Sequence, residues 1–209
     1  MSTKTTANGP RRLVLASTSR YRRELLARLG LPFTVAPPDL DEAPRPGEAP
    51  AGTALRLSEA KARAVAERFP EALVIGSDQV ADSGGLAIGK SGTREVAERQ
   101  LRALSGQTVV FHTGVALVDA ASGRCHSALV DVASTFRTLS DAEIGAYLAR
   151  EAPYDCAGSV KSEGLGIALF ERIVSDDPTA LIGLPLIALT RLLREEGVDV
   201  ILPATALRA

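Results

Sequence analysis

An α/β fold built on a twisted, mixed sheet is what this sequence predicts, and three observations carry the expectation. Short apolar runs alternate with segments of helical periodicity from Leu13 to Glu196. Two long strand-like runs, Thr108–Asp119 and Cys125–Arg137, are joined by Ala121-Ser122-Gly123, a hairpin that makes the sheet mixed rather than purely parallel. No G-x-G-x-x-G turn occurs, which argues against a dinucleotide-binding fold.

The elements follow in order. Leu13 to Ala16 reads as a strand that ends in Ser17-Thr18-Ser19. A helix follows from Tyr21 to Leu29, with Leu25, Leu26 and Leu29 inward and Gly30 as its stop. Phe33 to Ala36 is a second strand. The Pro-rich stretch from Pro37 to Pro50 is long for a connection in a compact chain and reads as a working loop. Thr53 to Phe69 is a helix, and Ala72 to Ile75 a buried strand running into Gly76-Ser77-Asp78-Gln79. Asp82 to Gly85 is a turn before Ile88-Gly89-Lys90, and Thr93 caps a helix to Leu104. After the hairpin, Ser140-Asp141-Ala142-Glu143 is a capping box opening a helix to Arg150. Loops rich in Gly and Ser from Asp155 to Gly166 lead to a strand over Ile167–Ile173 and a last helix over Pro185–Glu196.

With 209 residues the chain suits one domain, expected over residues 12–202 between a flexible N-terminal tail (1–11) and a C-terminal tail (203–209). Its 24 basic residues are matched by 25 acidic ones, a formal charge of −1, which removes the electrostatic case for a nucleic-acid polymer as partner. The longest apolar run, Ala180–Leu189, is ten residues including Gly183 and Pro185, about half a membrane span. The first twelve residues are polar and carry no secretory signature. Two cysteines, Cys125 and Cys156, form neither a disulfide framework nor a metal quartet. A cytoplasmic protein without membrane attachment is expected.

Four segments stand out chemically. In Ser17-Thr18-Ser19-Arg20-Tyr21-Arg22-Arg23 a strand delivers hydroxyls to a helix start, whose free N–H groups favour an anion. The first turn then holds three arginines where acidic residues would suit the dipole, so the segment reads as a phosphate cradle rather than an ordinary cap. Only four of the 24 basic residues are lysines. One of them, Lys61, shares the stripe Leu57, Lys61, Val65, Phe69; either its ammonium snorkels to water or it points into a polar cleft. Asp78 ends a buried strand, where α/β sheets place their sites. With Asp41 and Glu42 in the Pro-rich loop it offers oxygen ligands for a hard divalent cation, and Lys90 can reach the same cleft. Lys161-Ser162-Glu163-Gly164-Leu165-Gly166 lets backbone pass close to a ligand, with Glu163 as a hydrogen-bond acceptor. His112 and His126 lack metal-ligand spacing and read as structural, and both cysteines as inert.

Taken together, LASTSRYRRELL, LSEAKA, GSDQV, Gly89-Lys90, CAGSVKSEGLG and TALIGLPL resemble the Maf family of nucleoside triphosphate pyrophosphatases, once described as septum-formation proteins. The resemblance runs in order from Leu13 to Ile201. It implies the Maf/Ham1 (ITPase-like) fold, a twisted mixed sheet with flanking helices and two lobes around a central cleft. It implies cleavage of the α–β phosphoanhydride to a nucleoside monophosphate and pyrophosphate, with a divalent cation, Mg²⁺ or Mn²⁺. A nucleoside triphosphate is the implied partner, and a homodimer is implied by family analogy. By position, the resemblance makes Asp78 the proton acceptor and, with Glu42, a metal site. It makes Tyr21, Gln79 and Glu163 the determinants of base specificity, and Ser17, Arg22, Arg23, Lys61 and Lys90 the phosphate-binding set. Within the family the chain is similar to the branch acting on 7-methyl-GTP. The dTTP/UTP branch has Arg, Thr and Gln at the positions of Tyr21, Gln79 and Glu163, and remains the alternative beside a non-catalytic, nucleotide-binding regulator of septum formation. The family usually has Pro where this chain has Arg20, and a looser cradle is expected from the loss of a residue that pre-sets φ.

Overall fold

The computed structural model of the protein describes residues 11–202 and Leu207. The expected tails therefore lie outside the described residues except for Arg11 and Leu207, which meet in a parallel bridge. Among the described residues seven strands form one sheet: β1 (Arg12–Ala16), β2 (Thr34–Ala36), β3 (Ala72–Ser83), β4 (Leu86–Ile88), β5 (Thr108–Asp119), β6 (Cys125–Phe136) and β7 (Phe170–Val174). Their order is β2-β1-β3-β5-β6-β7, with β4 paired to the far part of β3. β1 runs parallel to β2 and β3, and every other pairing is antiparallel. The sheet is mixed, as the hairpin implied.

Among the described residues five α-helices flank it: α1 (Arg20–Ala27), α2 (Pro50–Ala66), α3 (Arg94–Leu104), α4 (Asp141–Glu151) and α5 (Leu186–Glu195). Local chemistry explains their starts. Ser19, Thr93 and Ser140 accept backbone N–H bonds at the N-termini of α1, α3 and α4, and the expected capping box forms between Ser140 and Glu143. Helix α2 opens a turn earlier than expected because Pro50, with φ preset and no N–H to lose, occupies its first turn. The strand expected at Ile167–Ile173 begins only at Phe170. A 3-10 turn over Leu165–Leu169 precedes it, because Gly164 and Gly166 let the chain fold against Glu151 and Lys161, where a side chain would collide.

Helices α1 and α5 cover one face of β1, β3 and β5 through Leu13, Leu15, Leu25, Leu26, Leu73, Ile75, Leu189 and Leu193. Helix α2 covers the opposite face through Ala62 and Val65 against Val14, Val74 and Ala116. A separate cluster joins α3 and α4 to the far ends of β3, β5 and β6, with Leu101, Phe111, Phe136, Ile144 and Tyr147 at its centre. Two lobes result.

The approach of α2 depends on two glycines. A Cβ on Gly76 would lie 2.1 Å from the Ser58 carbonyl oxygen and 2.7 Å from the Ala62 nitrogen. One on Gly114 would lie 2.4 Å from Ser58 Oγ and 2.7 Å from the Ala54 carbonyl. Both obstacles are mainly backbone and cannot rotate away. Gly76→Ala is expected to destabilise the protein by about 1–3 kcal/mol through overpacking. Gly52→Ala, inside α2 with only the Glu48 side chain 3.8 Å away, should instead stabilise by up to about 1 kcal/mol. Urea unfolding of the two variants should move the midpoint in opposite directions.

Candidate active site

The sequence placed Asp78 at a strand end. It lies instead in the middle of β3, which continues from Ala72 to Ser83 because β5 pairs with it along nearly that whole length. The strand that ends here is β1, whose last partner on β3 is Gly76. On the same edge of β3, β4 takes up pairing only at Ala81. Residues Ser77 to Val80 therefore form a gap in the edge of the sheet, and a cavity of about 750 Å³ opens there.

Alternation along β3 sends successive side chains to opposite faces. Asp78 shares the α2 face with Gly76, and both Asp78 and Lys61 are almost fully buried, 8% and 4% exposed. Lys61 Nζ lies 2.6 Å from Asp78 Oδ1 and 2.8 Å from Glu42 Oε2. The ammonium on the apolar stripe of α2 is thus turned inward, not snorkelled to water. Ser58 fixes the register from below: its hydroxyl donates to the Ala54 carbonyl at 2.7 Å and accepts the Asp78 amide at 2.9 Å. Asp78 Oδ2 takes no hydrogen bond from the described residues, which leaves it acceptor capacity.

Ser77 and Gln79 face the other way, onto the turn over residues 180–183. Ser77 Oγ lies 2.9 Å from the Gly183 carbonyl, and Gln79 Nε2 donates toward the carbonyls of Ala180 and Leu181 and toward Thr113 Oγ1. Those acceptors consume the amide N–H groups, so Gln79 presents its carbonyl oxygen as the group still able to bind. The Gly183 carbonyl also accepts from Arg22 Nε at 2.8 Å, which ties α1 to the same turn. Burial pulls the Arg22 guanidinium below its ordinary pKa while Asp78 and Glu42 oppose the shift, and it remains a cation near the two carboxylates.

At the N-terminus of α1, Ser17 Oγ accepts the Ser19 amide at 3.0 Å, and Ser19 Oγ the Arg22 amide at 3.4 Å. No acidic residue occupies the first turn. Tyr21 stands on the cavity wall, its hydroxyl accepting from Arg20 Nη2 at 2.7 Å, with Cys156 Sγ 3.9 Å away. Burial pushes the Cys156 thiol up to about 12, so it remains protonated and unreactive. Lys90 also lines the cavity, from the segment after β4 that bridges to Ala157, and forms no ion pair with the described residues. Glu163 comes from the loop after α4, and partial desolvation there raises its carboxyl above the ordinary carboxylate range, with Lys161 opposing.

Of the residues singled out in the sequence, Ser17, Tyr21, Arg22, Glu42, Lys61, Asp78, Gln79, Lys90 and Glu163 line this one cavity. Arg23 does not. It lies on the exposed face of α1, as its position one residue beyond Arg22 requires. His112 and His126 are both paired with carboxylates away from the cavity, His112 with Asp82 and Asp131 and His126 with Glu195 and Glu196.

Several supporting residues escaped the sequence. Gln100 on α3 donates to the Gly89 carbonyl at 3.1 Å and accepts from Ser159 Oγ at 2.6 Å, joining the Lys90 segment to the Glu163 loop. Glu151 holds the same loop through Lys161 Nζ at 2.9 Å and the Leu165 amide at 2.7 Å. No local pattern marks either. Asp177, 2% exposed, accepts the Ile187 and Ala188 amides at the start of α5 across a separation of 10 and 11 residues, too far for a local cap pattern to reveal.

The family model for Maf-like proteins matches residues 12–196. The chain is 62% identical over 199 residues to the 7-methyl-GTP pyrophosphatase of Polaromonas sp. (strain JS666 / ATCC BAA-500), covering 94% of this chain and 91% of that one. It is 59% identical over 194 residues to the protein of the same name from Burkholderia pseudomallei (strain 1710b), covering 91% and 90%. It is also 59% identical over 192 residues to that of Bordetella pertussis (strain Tohama I / ATCC BAA-589 / NCTC 13251), covering 91% and 94%. Likeness of this extent, on a mixed sheet whose central cavity gathers the quoted motifs, makes the chain a member of the Maf family.

Proposed function

We propose that this protein hydrolyses the α–β phosphoanhydride of 7-methyl-GTP, releasing 7-methyl-GMP and pyrophosphate. The observation that carries the reading is Asp78, buried at the gap in the sheet beside Lys61, with Arg22 and Lys90 on the same cavity. Asp78 accepts the proton of the attacking water, and the cationic side chains neutralise the phosphate oxygens as negative charge shifts to the leaving pyrophosphate. The α1 N-terminus adds backbone N–H groups for the same oxygens, and the Ser17 hydroxyl adds a further donor.

A divalent cation belongs to this proposal. No group of three or more His, Cys, Asp or Glu among the described residues forms a protein cage for a metal. Mg²⁺ is usually held by only one or two carboxylates together with substrate phosphates, and Asp78 and Glu42, both on Lys61 Nζ, fit that pattern. Such a cation supplies charge neutralisation and Lewis acidity at the phosphates. Base choice falls to Tyr21, whose ring attracts the charged 7-methylguanine, to Glu163, which accepts from N1–H and the exocyclic amine, and to the Gln79 carbonyl oxygen. Residence in the cytoplasm and assembly as a homodimer complete the proposal; among the described residues no helix is long and apolar enough to cross a membrane.

Asp78→Asn should lower kcat by about 10²–10⁴-fold while nucleotide still binds, measured by pyrophosphate release and by calorimetric titration. Full turnover in that variant would remove Asp78 from the proton-accepting role. Chelation should abolish turnover of the parent, and Mg²⁺ or Mn²⁺ should restore it. Glu163→Gln should lower kcat/KM for 7-methyl-GTP relative to UTP by about 10-fold, the worth of one charge-assisted contact. An unchanged ratio would detach Glu163 from base selection.

A further inference from the structure

Adjacent residues on a helix do not normally face each other, yet Arg20 folds back over its neighbour. Its guanidinium carbon lies 4.7 Å from the centroid of the Tyr21 ring while Nη2 donates to the Tyr21 hydroxyl. Arg20 opens α1, so no preceding turn holds its side chain outward. Arg20 and Tyr21 both line the cavity. Among the described residues Arg20 has no carboxylate within ion-pair distance. Asp155, Glu24 and Glu163 bear on it only through space. A positive charge with no direct ion pair among the described residues thus sits on the aromatic wall of the cavity, within electrostatic range of Asp155 and Glu163.

We propose that Arg20 sets the charge preference of the base subsite: it weakens the binding of a cationic base relative to a neutral one. This rests on the reading that the base lies between Tyr21 and Glu163. Tyr21 and Glu163 each favour a positively charged ring, and the guanidinium opposes both. It occupies a face of the tyrosine otherwise open to a cation, and it screens the Glu163 carboxylate. The sign is the same whether Arg20 stays on Tyr21 or swings to stack on the incoming base, because two positive charges within one small subsite repel in either arrangement. The pocket therefore takes neutral purine triphosphates alongside the methylated one. Arg20 acts as a brake on selectivity rather than a part of the hydrolytic machinery.

The test is the ratio of kcat/KM for 7-methyl-GTP to that for GTP, followed by pyrophosphate release. Arg20→Gln should raise the ratio about threefold to tenfold, the worth of one partly screened charge at this range. Arg20→Lys keeps the charge without the plane and should hold the ratio near that of the parent. Added salt should lower the ratio for Arg20→Gln, where Glu163 acts unopposed, and should bring it closer to that of the parent. If Arg20→Gln leaves the ratio unchanged or lowers it while Glu163→Gln lowers it, the charge role of Arg20 is overturned and the base reading stands. If Arg20→Lys behaves as Arg20→Gln does, planarity and not charge is at work, and the proposal also falls. If Glu163→Gln leaves the ratio unmoved as well, the base lies elsewhere and both readings fall together.

Discussion

A lysine ammonium and an aspartate carboxylate, both nearly sealed from water, meet at 2.6 Å where α2 crosses β3. Taking two charges out of water is costly, and the pair holds only because its geometry is tight and a second carboxylate, Glu42, closes on the same ammonium. Tightness comes from the backbone. Gly76 and Gly114 let the Ser58 turn of α2 rest directly on the sheet, and Ser58 then grips the Asp78 amide. Removing one partner would leave the other charge buried alone, which costs about 3–5 kcal/mol in comparable pairs. The same contact thus fixes the helix on the sheet and sets the chemistry.

The gap in the sheet edge has a second consequence. Because β1 stops opposite Gly76 and β4 begins opposite Ala81, the side chains of both faces of β3 reach one cavity. Asp78 looks toward α2, and Gln79 toward the 180–183 turn. A ligand seated in the gap meets carboxylate and ammonium on one side and amide and aromatic groups on the other. On the proposed reading, phosphate chemistry and base recognition divide between two faces of one strand, with adjacent residues serving each. Gly183 ties α1 to the Gln79 side of β3, since its carbonyl receives both Arg22 and Ser77.

Fold class and most of the cavity lining were legible in the sequence because they follow from periodicity and from local chemical oddity. Lys61 stood out on an apolar stripe, and the cradle through its reversed charge order. Charge order could not say which arginine turns inward. Helix geometry decides that, and it puts Arg22 against Gly183, Arg20 over Tyr21, and Arg23 in solvent. The position of Asp78 was misread for a related reason: an apolar run shows where a strand is buried, not where its pairing ends. Ser77 to Val80 keep their β5 partners after β1 has stopped, a long-range fact with no local mark. Gln100 and Glu151 are invisible for the same reason, since their partners lie in the Gly89 segment and the loop after α4.

Charge balance explains why this cavity should need more than its own side chains to hold a triphosphate. Its lining carries four cations, Arg20, Arg22, Lys61 and Lys90, and four carboxylates, Glu42, Asp78, Asp155 and Glu163. A polyanion gains little from so even a field, and the most buried of the cations is already engaged by Asp78 and Glu42. Binding must shift that balance. On the proposed reading a divalent cation held by Glu42 and Asp78 would add positive charge and would compete with Lys61 for the two carboxylates. The carboxylate cluster, repulsive to a polyanion by itself, would then favour the nucleotide through the cation it holds.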